Sequence, residues 1–191
     1  LGQLQTVAGA AGGVRFRPCA QADSARQFLS GLIDKLLAPD RILPGGYLYL
    51  SDILGDPVTV RGISQIIACA WYEEKPDFIL TMETKGIPVA MMTADYMNVP
   101  LVIARRQSKV YEGSAVNINY PGGKGTIETM SLSRRAVKTG QRALIVDDLI
   151  RGGGTARGLI SLMDEFNVEV IGLSFVLAQD TPPRRPIEKE K

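Results

Sequence analysis

Two adjacent aspartates, Asp147 and Asp148, end the apolar run RALIVDD and are followed by Leu149, Ile150 and Arg151, then Gly152, Gly153, Gly154 and Thr155. Three glycines let the backbone turn tightly and present successive amides to an anion. A helix starting there adds the positive end of its dipole, so the loop suits a phosphate group. Thr155 can add a hydroxyl. Paired carboxylates disfavour a second phosphate, but they accept hydrogen bonds from vicinal hydroxyls or help hold a divalent cation. The simplest ligand is therefore a phosphate beside a sugar diol. A capped strand-to-helix turn with solvated aspartates is the plain alternative. Other phosphate motifs fail: Gly123-Lys124 is followed by Gly125 with Ile118 where a P-loop needs its first glycine, and Gly152-x-Gly154 leads to Arg157 where a dinucleotide fingerprint needs glycine.

The rest of the composition narrows the chemistry. There is no histidine, which excludes Ser-His and Cys-His nucleophile pairs and histidine zinc sites. Cys19 and Cys69 are the only cysteines, far apart and without CxxC spacing, so two buried thiols are expected, and neither a disulfide nor a cysteine metal site. The net charge of +2 predicts no nucleic-acid binding by itself, but eight bases face two acids between Arg105 and Arg142, where an anionic ligand or partner fits. No run approaches the ~18 apolar residues of a membrane span, and the start lacks a signal peptide's basic and apolar regions. The cytosol is the expected compartment and no membrane partner is expected.

These residues must be positioned by strands and helices. LQTV and VRFRP, joined by AGAAGG, read as a hairpin with a loop longer than two residues. Apolar spacing predicts a helix over Gln21–Leu37, closed by Pro39, and another from about Thr59 to Tyr72. FILTM, PLVIA, RALIVDD and VEVIGLSFVLA read as strands, with helices from about Pro88 to Met97 and from about Gly153 to Phe166 between them. TIETMSL reads as a further β-prone run, and the stretch before it to about Gly125 as a polar loop. The alternation predicts an α/β domain with a mostly parallel sheet and helices on both faces. The tail TPPRRPIEKEK reads as disordered, and the chain as a fragment of a longer protein.

VDDLIRGGGT resembles the phosphoribosyl pyrophosphate (PRPP) motif of type I phosphoribosyltransferases. ILPGGYLYLSDILG, TKGIP, KVYEGSAVNINY, ETMSLSRRAVKTG and LMDEFN, together with it, resemble the Gram-positive purine operon repressor family, which carries that fold. The resemblance runs from about Leu1 to Ala178. It implies a wing hairpin of a truncated winged-helix DNA-binding domain over 1–18, a phosphoribosyltransferase-like effector-binding domain over 19–180, and a charged tail over 181–191. Residue by residue, it implies that Asp147 and Asp148 meet the ribose hydroxyls and that Gly152, Gly153, Gly154 and Thr155 cradle the 5′-phosphate. Thr84, Lys85 and Gly86 match the pyrophosphate loop, where a non-proline cis peptide is usual. Arg106 and Lys109 match bases that assist with pyrophosphate, or are solvated surface charge; Arg134, Arg135 and Lys138 read as surface charge. Val110 to Thr126 corresponds to the flexible loop that closes over ligand. Tyr47, and with it Leu149, could contact a nucleotide base, with a core position as the alternative for the tyrosine. Arg15 and Arg17 would lie near DNA.

Two departures separate the chain from active enzymes: Gly152 stands where they carry a hydroxyl residue, and a charged tail follows Ala178 where a base hood would be shaped. The leading expectation is an effector-binding and dimerisation domain of a repressor of purine biosynthesis genes, with PRPP as inducer. A guanosine polyphosphate alarmone would share the pocket, and Mg²⁺ would accompany PRPP. Operator DNA would be met through the absent winged-helix domain, and a homodimer is implied. No catalytic residue, resident metal or firm cofactor is assigned. The alternatives are an active purine phosphoribosyltransferase that releases pyrophosphate and an RNA-binding attenuator lacking the winged helix.

Overall fold

The structure is a computed structural model that describes residues 3–17, 19, 22–43, 47–107, 113–122 and 126–179. The chain opens with the expected hairpin, β1 (Gln3–Val7) antiparallel to β2 (Gly13–Arg17), in register from Gln3 opposite Arg17 to Val7 opposite Gly13. Helix α1 (Ala22–Leu36) follows, buries Leu32, and leaves Leu29 and Ile33 exposed. The short strands β3 (Ile42–Leu43) and β4 (Tyr47–Leu48) pair antiparallel, so YLYL is extended only in its first half. A short helix, α2 (Ser51–Gly55), leads to α3 (Pro57–Trp71). Asp56 caps α3, accepting from the backbone N–H of Thr59 at 3.0 Å, and Pro57 occupies a first-turn position where the missing N–H costs nothing.

The core unit is β5 (Phe78–Met82), α4 (Ile87–Met97), β6 (Leu101–Ala104), β9 (Arg142–Ile150), α5 (Gly154–Asp164) and β10 (Glu169–Ala178). Its four strands form a parallel sheet in the order β10-β9-β5-β6. β5 and β9 are central, which explains their continuous apolar runs: both faces are covered. Alternate residues serve opposite faces. Ile79, Leu144 and Val146 join α3 and α4 in one apolar cluster. Phe78, Leu80, Met82, Ala143 and Ile145 join the other.

That second face carries a helix, as expected, but not a helix alone. It is shared by α5 and by an antiparallel hairpin of β7 (Ala115–Pro121) and β8 (Ile127–Ser133), which contributes Val116, Tyr120, Met130 and Leu132. The polar stretch read as a loop thus contains a seven-residue strand. Its sequence, AVNINYP, alternates apolar and polar residues, but the asparagines masked the strand signal. Arg105, just beyond β6, pairs backbone-to-backbone with Ser131 of β8, tying the hairpin to the sheet edge.

The cysteines also depart from expectation. Cys19 and Cys69 are joined in a disulfide with Cα atoms 4.8 Å apart, and both residues are only half-buried. Fifty residues separate them in sequence, so no local spacing announced the pair. Packing α3 against the segment before α1 brings them together. Among the described residues no helix is long and apolar enough to cross a membrane.

Candidate phosphate and sugar site

The site is built on the C-terminal end of β9, where open parallel sheets present their ligands. Asp147 is the last core residue of that strand, only 8% exposed, and Asp148 follows half-buried. The Asp148 backbone N–H donates to Asp147 Oδ1 at 2.9 Å. Burial, aided by the neighbouring Asp148 charge, pushes the Asp147 carboxyl up to about 7. Gly86, on the loop after β5, lies so close that a Cβ there would collide with the Asp147 carboxylate and stand 2.7 Å from Thr81 Oγ1. Only glycine allows that approach. The buried Thr81 hydroxyl has no partner among the described residues.

The glycine turn is formed as the spacing predicts. Gly153 takes the left-handed conformation (φ 70°) and caps α5, whose first-turn amides have no partner within the helix. The Pro121 carbonyl of β7 closes on Gly154 so tightly that any side chain there would strike it. The hairpin is thereby seated directly on the glycine turn.

A cleft of about 520 Å³ opens over this turn. It brings together Asp147, Asp148, Leu149 and Gly152–Thr155 with Lys85 and Arg106 from the ends of β5 and β6. Thr84 lies beside it, exposed, and the Glu83–Thr84 peptide is cis, as the resemblance implied. Glu83 locks the two basic ends together. Its carboxylate accepts from the Arg106 backbone N–H at 2.7 Å and lies 3.9 Å from Arg105.

Most expected site residues therefore converge. Lys109 lies outside the described residues, as does the tail from 180 onward, and Arg15, Arg17 and Tyr47 enter only through the backbones of β2 and β4. Arg134, Arg135 and Lys138 are exposed, in keeping with surface charge. Sequence reasoning passed over Glu128, Arg151, Arg157 and Phe175, which also line the cleft. Arg151 and Arg157 could have been noticed as bases flanking the glycine turn. Nothing local marks Glu128 or Phe175, which reach the cleft only through hairpin docking and sheet pairing. Among the described residues no group of three or more metal-ligating side chains is present.

A parallel sheet whose central strand ends in paired acids and a glycine turn, facing a second loop that carries a lysine, defines a type I phosphoribosyltransferase fold. The solved adenine phosphoribosyltransferase of Rhodothermus marinus superposes on 80% of this chain and 87% of its own with TM-score 0.69 at 25% identity. The purine biosynthesis transcriptional repressor PurR of Bacillus subtilis is 44% identical over 190 residues, covering 99% of this chain and 67% of the relative. The purine biosynthesis transcriptional activator PurR of Lactococcus lactis is 42% identical over 192 residues, 100% of this chain and 71% of the relative. The chain belongs to the phosphoribosyl transferase domain family, which matches residues 58–191, and within it to the PurR purine biosynthesis regulators. It spans about two thirds of the length of those curated relatives.

Proposed function

We propose that this chain is the effector-binding and dimerisation domain of a cytoplasmic transcriptional repressor of purine biosynthesis genes, with PRPP as the inducer. The observation that carries the reading is the cleft in which Asp147 and Asp148 adjoin the Gly152–Thr155 turn while Lys85 and Arg106 stand opposite. The acids suit the ribose hydroxyls, the turn suits the 5′-phosphate, and the two cations suit a pyrophosphate. Among the described residues the acids of the cleft do not gather into a cluster of three metal ligands, which suits Mg²⁺ only when the ligand's own phosphate oxygens complete its shell, so the ion would arrive with PRPP. A guanosine polyphosphate offers the same phosphates and sugar and would compete. The 1–18 hairpin would be the wing of a winged-helix domain that meets operator DNA, with Arg15 and Arg17 beside it. PRPP would alter DNA affinity only as far as it prefers the non-binding conformation. A homodimer is supported by the apolar residues Leu29 and Ile33 of α1 and Leu37 of the turn that follows it, all exposed.

The test is a calorimetric titration of PRPP with Mg²⁺, followed by injection of purine bases into the saturated cell. A saturating isotherm that stays silent on base injection is expected. Sustained heat after the bases would establish an active phosphoribosyltransferase instead, and no heat at either step would remove both. The double variant Asp147→Asn with Asp148→Asn is expected to abolish PRPP binding; retained affinity would remove the site assignment.

A further inference from the structure

Glu128 is an acid on the wall of a cleft otherwise suited to phosphates, and it lies on β8 directly opposite Tyr120 of β7. One of its carboxylate oxygens, Oε2, accepts from Arg106 Nη1 at 2.9 Å and from the Tyr120 hydroxyl at 2.8 Å. One acid thus holds Arg106, a donor expected to serve the ligand, while a tyrosine of the facing strand braces the acid. Arg106 is 61% exposed and Glu128 33% exposed, so water screens the pair and leaves it exchangeable. The Tyr120 ring is buried against the inner side of the hairpin, so Glu128 is anchored on the tyrosine side and open on the arginine side. Burial, together with the Glu128 bond, pushes the Tyr120 phenol up to about 12, so it remains a donor at any physiological pH.

We propose that Glu128 is a resident anion that, braced by Tyr120, holds Arg106 in the ligand-free cleft, and that it is exchanged for a phosphate group of the ligand on binding. This rests on the PRPP-site reading above and adds its regulation. Since Glu128 and Pro121 belong to the same hairpin and Pro121 sits on Gly154, the exchange couples occupancy of the cleft to the seating of β7 and β8. Glu128 also sets a threshold: an anion that cannot replace both contacts is held off.

The test titrates PRPP with Mg²⁺, and separately inorganic pyrophosphate, into wild type, Glu128→Gln, Glu128→Asp, Arg106→Ala and each Glu128 variant combined with Arg106→Ala. Glutamine keeps the shape and loses the charge; aspartate keeps the charge and withdraws it by one methylene from both donors. Both single variants are expected to bind roughly two- to fivefold more tightly, the range of a screened ion pair, and both gains are expected to vanish without Arg106. A gain with glutamine alone, or one that persists without Arg106, would reduce Glu128 to simple charge repulsion and overturn the exchange. Weaker binding in Glu128→Gln would make it part of the ligand's own site and would equally overturn the exchange. If pyrophosphate shows the expected pattern while PRPP does not bind, the exchange stands and the PRPP reading fails. If neither anion binds any variant, both fall.

Discussion

Asp147 combines a position on the cleft wall with burial, and those two demands pull against each other. Its carboxyl is pushed to about 7 chiefly because charge is poorly solvated at the end of β9. The ordinary value is 3.8, so between about pH 4 and about pH 7 the folded state holds a proton that the unfolded state has released. Stability therefore falls as pH rises through that window and levels off above it. Asp147→Asn keeps the acceptor for the Asp148 N–H and removes the charge. It is expected to stabilise the protein by about 2–4 kcal/mol at pH 8, from ~1.36 kcal/mol per pKa unit, and by almost nothing near pH 4. Urea unfolding at both pH values checks this, and equal stabilities at pH 8 would show that the carboxylate is solvated in the folded protein. That both acids would stand at the mouth of a cleft was legible in the sequence, from their place between an apolar strand and a glycine turn. Local sequence could not show that Asp147 is buried, because its cover comes from Gly86, sixty-one positions away.

At the level of elements, the hairpin of β7 and β8 decides the shape of the site. It shares one sheet face with α5, joins the end of β6 through the Arg105–Ser131 bridge, and rests its Pro121 carbonyl on Gly154. Gly154 does not need a left-handed φ, so alanine is allowed by conformation and would gain up to ~1 kcal/mol of helix propensity. Contact decides otherwise. A methyl group there meets backbone, which cannot rotate away, and overpacking of this kind costs ~1–3 kcal/mol. Gly154→Ala is expected to lower the unfolding free energy by about 1–2 kcal/mol and to weaken PRPP binding at least severalfold, read by thermal unfolding and calorimetry. A rise in Tm with unchanged affinity would mean that the hairpin does not seat on the turn. The central strands were legible because burial on both faces writes itself as an unbroken apolar run. β7 was not, because an asparagine-containing edge strand carries the composition of a loop until its partner is in place.

Across the whole molecule, the disulfide between Cys19 and Cys69 links the segment following the β1–β2 hairpin to α3, beneath which lies the main sheet. The crosslink closes a loop of fifty residues, for which chain entropy gives about 4 kcal/mol of stabilisation. Cys69→Ser is expected to lower the unfolding free energy by an amount of that order, and treatment of the wild type with reductant is expected to match it. Identical unfolding curves with and without reductant would show that the two sulfurs are not bonded in solution. PRPP affinity is expected to stay unchanged in the variant, because neither cysteine lines the cleft over α5.

By itself, the sequence determined the alternation of strands and helices, the hairpin at the start, the family, and the residues of the glycine turn with its paired acids. Each of these is encoded within a few neighbouring positions, by periodicity, by glycine's freedom to turn, or by a contiguous motif. Only the tertiary structure decided the strand order, the pairing of Cys19 with Cys69, the burial of Asp147, and the meeting of Arg106 and Tyr120 on Glu128. Those features depend on groups brought together from separate elements, and both the desolvation of a carboxylate and the reach of a hydrogen bond are set by distance in space.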